Sequence, residues 1–542
     1  MAPGTLVPLM SIDPRTPVLV GAGQATNRPH TEGEGSLADR PEPIGLMVEA
    51  LHAAVEDCDG VATGAPARCG RALLARTQSV RVVNPLSWPY VNPGRAVADA
   101  FGIDPAETVL TMAGGDTPQR LLNATALAIG RGELDVAVVV GADCGYTQAA
   151  ARRHADRPVL PWTVQLPDGV APLPFGSDRR GTTDAEEERG LDRPLHSYPL
   201  FEQAVRNQVG RTPEAHRLHI GRQWSRLSEV AATNPEAWLR RALTADEVIT
   251  VTDDNRMVDY PYTKLLTANM QVDQGAALVL CSAGAAEAAG VPRDRWVFPL
   301  SGADADDHWF LSHRSDFHSS PAIRLAGASG LALAGLGIDD VARLDLYSCF
   351  PAAVEIAAAE LGVRDDDPSR PLSVTGGLTF AGGPGANYGT HAVAAMAAAL
   401  RSDPGSFGLV TGVGLTLTRH SVGLFGTDPA PGRAGTAGPG LPEGTVVEEA
   451  GGFRWADPQR AVHALPQCSP DADAEGEVSV ETYTVAYDRG GSPERAVVAC
   501  RTPEGRRAWA NVTDPDHLTL LVTEEGCGRL GFLRPGGIVD LR

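Results

Sequence analysis

Lysine is almost absent from this chain: of its 46 lysines and arginines over 542 residues, Lys264 is the only lysine. A basic surplus is absent too, since the formal net charge is −21. Nucleic acids and anionic membranes both demand a basic face, so neither is expected as a partner. No apolar run reaches the roughly 18 residues that mark a candidate membrane-spanning helix. Nor does a basic segment followed by an apolar core open the sequence. The eight cysteines (58, 69, 144, 281, 349, 468, 500 and 527) contain no Cys-x-x-Cys pair. That speaks against a zinc ribbon and against a disulfide framework, and no metal site is expected. Together these absences describe a reduced, soluble, cytoplasmic protein.

The chain has ample core-forming material, with 43% hydrophobic residues, and its length calls for two to four domains. Residues 17–21 (PVLVG) read as a buried strand and 44–54 as an amphipathic helix. The turn Gly21-Ala22-Gly23 has the start of a dinucleotide fingerprint, but Thr26 stands where the third glycine belongs. A strongly periodic helix is predicted over 117–131 and a strand over 136–140, ending in Gly141-Ala142-Asp143. From 146 to about 256 the pattern dissolves into Pro-, Arg- and Trp-rich loops around two polar helices, and residues 273–281 restore the core register.

A second half runs from 296 to 427. It has helices at 321–334, 352–361 and 391–400, and strands at 343–347 and 407–411. The elements follow a similar order in both halves, which implies an internal duplication of βα units with a loop insertion in the first. Residues 428–444 form a Pro/Gly linker. Beyond it, 478–487, 496–501 and 507–512 alternate as strands of a small all-β domain. From residue 471 onward that domain has 13 Asp/Glu against 8 Arg, a poor surface for nucleic acid. The expected fold class is therefore α/β with a C-terminal all-β domain. The domains are 13–293 with an insertion at about 146–256, then 294–428, a linker at 429–444, and 445–542.

Residues 374–389, VTGGLTFAGGPGANYG, carry the strongest local signal. The run reads as a strand–helix junction, and so many glycines there mean close approach of the backbone to something. It resembles the last catalytic loop of thiolases, Gly-Gly-x-x-x-x-Gly-His-Pro, with Gly376, Gly377, Gly382 and Pro384 in place. Gly383 stands where the catalytic histidine belongs. Gly114-Gly115-Asp116-Thr117-Pro118-Gln119 precedes the 117–131 helix as the nucleophile loop does in thiolases, and counting back from Gly132 puts the nucleophile on Gly115. Tyr347-Ser348-Cys349-Phe350 is similar to the His-Asp-Cys-Phe loop of the sterol-carrier-protein type. Thr411-Gly412-Val413-Gly414 corresponds to the Cys-x-Gly loop without its cysteine. Over the whole chain the pattern resembles the mycobacterial thiolase-like protein type 1 group, which pairs a thiolase core lacking the usual nucleophile with an added OB-like domain.

The resemblance implies a duplicated thiolase fold, layered αβαβα, with a C-terminal OB-like barrel. It also implies a site that has lost its side chains in concert. A glycine cannot be acylated, so the ping-pong route through a thioester is closed at Gly115. Backbone amides at Gly115, Gly412 and Gly383 are the candidates for holding an oxyanion. Cys349 and Tyr347 are the candidate catalytic side chains, the cysteine by its place in the loop. Lys264 and Arg222 are candidates for the phosphates of coenzyme A. Cys144, His391 and His420 lie close in sequence to these loops and are weaker candidates.

Three functions remain open at this stage. The first is binding of CoA or acyl-CoA without ordinary thiolase turnover, with CoA as ligand and no resident cofactor. The second is a retro-aldol lyase acting on β-hydroxyacyl-CoA, and the third a non-catalytic scaffold. A monomer or a homodimer is expected.

Overall fold

The computed structural model describes residues 12–29, 37–60, 68–167, 169–429 and 440–542. Most of the expected linker, 430–439, lies outside the described residues. The first half supplies β1 (Pro17–Thr26), β2 (Ser79–Val83), β3 (Glu107–Thr111), β4 (Val136–Cys144) and β5 (Leu173–Phe175). It continues with a short hairpin of β6 (Met257–Tyr260) and β7 (Tyr262–Thr263), and with β8 (Asp273–Ser282). Every residue of β4 and β8 is buried. Near-continuous apolar runs such as VAVVV are what a strand covered on both faces requires.

The second half supplies β9 (Phe298–Asp306), β10 (Val341–Asp345), β11 (Phe407–Gly414) and β12 (Arg419–Gly426), followed by β13 (Val446–Ala450) and β14 (Phe453–Asp457). One sheet has the order β1-β8-β4-β2-β3-β5 and the other β10-β11-β12-β9-β14-β13. In the first, β2 and β4 are parallel, and β4–β8 and β8–β1 are antiparallel. The second repeats this with β10–β11, β11–β12 and β12–β9. The expected duplication is thus present as a shared strand order and polarity.

Two helices, Thr117–Gly130 and Tyr388–Ser402, touch each other and strands of both sheets, and both are buried along most of their length. Helix Pro43–Asp57 covers the outer face of the first sheet and Pro321–Ala334 that of the second, which completes five layers. The Pro321–Ala334 helix has the bounds the sequence predicts, for local reasons. The Ser320 side chain accepts from the Ile323 amide, Pro321 fits the first turn, and Gly335 ends the helix at φ 68°. Among the described residues no helix is long and apolar enough to cross a membrane.

Two local expectations change. The strand read at 343–347 ends at Asp345, which leaves Tyr347 in the following loop. No strand precedes the glycine run either. The buried Asp345 carboxylate fixes that segment, accepting from Ser373 Oγ (2.8 Å), the Val374 amide (3.0 Å) and Tyr388 Oη (2.8 Å). A side chain here does what strand pairing was expected to do.

The C-terminal strands are β15 (Gly476–Tyr487), β16 (Pro493–Arg501), β17 (Arg507–Val512), β18 (Leu530–Arg534) and β19 (Ile538–Leu541). β15 pairs with both β16 and β18, β16 with β17, β17 with β19 and β19 with β18, so the five strands close on themselves. Helix Pro515–Thr523 sits between β17 and β18, giving the expected OB-like barrel. Its boundary differs from the one read at 445. The β13–β14 hairpin extends the core sheet through parallel pairing of β14 with β9, covering an edge whose backbone groups need partners. The barrel in turn borrows a strand pair from the insertion, because β6 pairs with β15 at Tyr260↔Val485 and Asp259↔Ala486.

Candidate active site

Helix Thr117–Gly130 starts from the turn Gly114-Gly115-Asp116. Asp116 is fully buried, and its carboxylate takes both arms of Arg419, at 2.9 and 2.7 Å, and Arg120 at 2.8 Å. A Cβ on Gly115 would fall 2.0 Å from the Tyr347 hydroxyl oxygen and 2.6 Å from the Val413 carbonyl oxygen. The phenol therefore fills the space that a side chain at position 115 would need.

Tyr347 is held from two sides. Its amide donates to Thr411 Oγ1 at 2.8 Å, so the threonine side chain serves the backbone. Its ring meets Tyr388 edge-on at 5.5 Å. Among the described residues its hydroxyl has no hydrogen-bond partner. Burial, with Cys349 and Asp116 nearby, pushes the phenol above its ordinary range, so at neutral pH it is a proton donor.

Cys349 lies on the same loop. Burial pushes its thiol up to about 12, although Tyr198 and the Phe350 amide favour the thiolate. The thiol is then protonated at pH 7. The rate of Cys349 alkylation by iodoacetamide, followed by peptide mass spectrometry, is expected to rise about tenfold per unit between pH 7 and 9. A rate that is flat over that range would mean the thiolate is already formed.

The glycine run makes most of its close approaches to the first half of the chain. A Cβ on Gly382 would meet Gln274 Oε1 at 2.1 Å, and one on Gly385 would meet Asp143 Oδ2 at 2.1 Å. Gly383 differs: the nearest atoms to a Cβ there are 3.5 Å away, so a side chain would fit. Its amide already donates to the Asn269 carbonyl at 2.9 Å, which removes it as an oxyanion donor. Gly412 abuts the Gly115–Asp116 backbone, where a Cβ would lie 2.9 Å from Asp116 Cα; it does not line the cleft. The Gly115 amide donates to no described residue and sits at a helix start.

Gly115, Gly383 and Gly385 line a cleft of about 1390 Å³, larger than the roughly 300–1,000 Å³ usual for drug-sized ligands. Gly115, Tyr347, Cys349 and Gly383 line its deep end together with Tyr198 and Phe350, whose rings stack at 4.4 Å. Lys264 also lines it, exposed, in the company of Arg256, Arg489, Asp253 and Asp254. Arg222 does not. Its helix, Pro213–Thr233, buries His216, Ile220, Gln223, Trp224 and Leu227, and Arg222 points to solvent from the other face.

Among the described residues no histidine lines the cleft. His391 is buried against Gln24, with Nδ1 to Oε1 at 2.7 Å, and burial lowers it to about 3, leaving it neutral. His420 is buried with the Leu417 carbonyl at 3.0 Å and Ser320 Oγ at 3.4 Å. Cys144 is buried, with Sγ 3.4 Å from the Pro41 carbonyl.

Sequence reading missed a polar group behind the Tyr347–Phe350 loop. His216 Nε2 lies 2.5 Å from Glu202 and His219 Nε2 2.9 Å from Asp365, while Arg211 donates to Glu355 at 3.1 Å. Burial alone would lower His219, but Asp365 and Glu355 hold it up at about 9. Glu202, His216 and Glu355, and likewise His219, Glu355 and Asp365, are grouped closely enough to ligate a metal, and the Arg211–Glu355 bond ties the insertion to helix Pro351–Leu361. A signal was available, in polar residues on the buried face of an amphipathic helix. Arg489 had no such signal.

Residues 457–537 match the family described as thiolase-like protein type 1 additional C-terminal domain. The structure is similar to that of a monomeric SCP2-thiolase like protein type 1 from Mycobacterium smegmatis, with 30% identity, 98% of this chain and 100% of that chain covered, and a TM-score of 0.78. It is also similar to an Ltp2–ChsH2(DUF35) aldolase (20% identity, 77% and 99% covered, TM-score 0.55). The dimeric peroxisomal thiolase of Saccharomyces cerevisiae compares at 15% identity, 78% and 99% covered, and a TM-score of 0.52. The last two are likenesses of fold. No curated protein matches the sequence.

Proposed function

Since the chain belongs to the SCP2-thiolase-like protein type 1 family, we propose that its cleft binds coenzyme A or an acyl-CoA ester without carrying out thiolysis. The observation that carries this reading is the Tyr347 hydroxyl standing where the side chain of residue 115 would be. Thiolysis through an acyl-enzyme needs a nucleophile at that point and a base to activate it. Position 115 offers neither the atom nor the room. The nearby thiol, on Cys349, stays protonated, and no described histidine lines the cleft to deprotonate it. The Gly115 amide at the helix start suits a thioester carbonyl, and Lys264 at the exposed end suits an anionic group. Titration calorimetry with CoA and acetyl-CoA is expected to show binding, with no CoA-dependent cleavage of acetoacetyl-CoA. Absence of binding to either ligand would sink the proposal.

A second reading is retro-aldol cleavage of a β-hydroxyacyl-CoA, favoured by the unpartnered Tyr347 hydroxyl. In that reaction the β-hydroxyl loses its proton, the Cα–Cβ bond breaks, its electron pair becomes the thioester enolate, and Cα takes up a proton. A phenol kept protonated by burial suits the last step better than the first. If Tyr347→Phe turns over such a substrate as fast as the parent, Tyr347 has no part in the chemistry. The open cleft beside Gly115, Cys349 and Gly383 weighs against a purely structural role, for which side chains would fill the pocket.

A further inference from the structure

The barrel reaches the cleft in two ways. Directly, the turn after β15 carries Arg489, which is exposed, lines the cleft and has no ion pair with a described residue. Indirectly, β15 pairs with β6 at Tyr260↔Val485 and Asp259↔Ala486. Arg256 and Lys264 flank the β6–β7 hairpin, and the Lys264 amide donates to the Arg256 carbonyl at 3.0 Å. Both side chains line the same cleft. One sheet, shared between the insertion and the barrel, thus presents three cations on a protein whose net charge is −21. Arg152, Arg153 and Arg193 line the same cleft, as do Asp253 and Asp254; what sets Arg256, Lys264 and Arg489 apart is the sheet that joins them.

We propose that the C-terminal barrel is part of the ligand site, and that Arg489 with Arg256 and Lys264 seats the phosphate-bearing nucleotide end of the ligand. This rests on the CoA reading of the cleft and adds the residue and the domain that hold its anionic end. Guanidinium and ammonium groups bind phosphate oxygens by charge-assisted hydrogen bonds, and cations lining one cleft strengthen each other's field. The ligand class is a phosphorylated nucleotide thiol or its ester; pantetheine, which has the same thiol arm and no phosphate, is the natural control.

The experiment is titration calorimetry of the full chain with CoA and with pantetheine, on the parent, Arg489→Ala, Arg489→Lys and Arg506→Ala. Arg506 lies on the next hairpin, bonded to Pro470 and Asp471, and controls for loss of one charge. Arg489→Ala is expected to weaken CoA binding about tenfold, flatten its salt dependence and leave pantetheine binding and the melting temperature unchanged. Arg489→Lys is expected to recover part of the loss, and Arg506→Ala to match the parent. CoA binding by Arg489→Ala equal to the parent's, or an equal loss in Arg506→Ala, overturns the role of the barrel and leaves the CoA reading standing. A parent that binds neither CoA nor pantetheine removes both.

Discussion

Asp116→Ala is expected to destabilise the protein by about 3–5 kcal/mol, the range for breaking a buried ion pair from one side. Asp116 is fully buried and its Arg419 partner nearly so. With the carboxylate gone, Arg419 keeps only long contacts to the Ala113 carbonyl at 3.5 Å and the Ser177 carbonyl at 3.3 Å. Arg120 retains Asp306, so the cost falls mainly on Arg419, an uncompensated charge in a dry interior. Asp116→Asn keeps hydrogen-bonding atoms without the charge and should lie between parent and alanine variant. Urea denaturation measures both, and a loss below about 1 kcal/mol for Asp116→Ala would contradict the pair's structural role. The pair also holds the Gly114–Asp116 turn, so the same variant should disturb the floor of the cleft.

Gly115→Ala is expected to cost about 3 kcal/mol, at the upper end for an overpacked core. The added methyl would lie 2.0 Å from the Tyr347 hydroxyl oxygen and 2.4 Å from its Cζ. Tyr347 has little freedom to retreat, with its amide on Thr411 and its ring against Tyr388. In a Tyr347→Ala background the methyl gains room, and the Gly115→Ala penalty should shrink by about 1–3 kcal/mol, the coupling usual for residues in contact. A double-mutant cycle from denaturation midpoints reads that coupling, and additive effects would refute the exchange of volume between the two positions. By the same geometry Gly115→Cys alone should form no acyl-enzyme, since the thiol has nowhere to sit until residue 347 is cut back.

The parts of the site legible from sequence were those built within one local segment. The Thr117–Gly130 helix, the glycine run and the Tyr347–Phe350 loop each have their own periodicity or turn chemistry, and the two-fold order of elements exposed the duplication. Contacts between distant segments were not legible. The amide of Gly383 is consumed by Asn269, and nothing near either residue announces that. Arg222 and Lys264 looked equivalent as loop cations, but a helix face decides that one meets solvent and the other the cleft. Arg489 became visible only through the β6–β15 register, which pairs residues from opposite ends of the chain. The pairing of β14 with β9, with β13 beside it, is likewise a contact between distant segments.

That β6–β15 register has a consequence for how the chain comes to be folded. The hairpin at Met257–Thr263 cannot complete its sheet until residues near 487 have been made, so the insertion waits on the far end of the chain. Arg206 of the insertion likewise awaits Glu525, at 2.6 Å. On a ribosome that emits the chain from its N-terminus, Arg256 and Lys264 would acquire their places last, together with Arg489. Nascent chains should therefore become competent to bind only when synthesis is nearly finished.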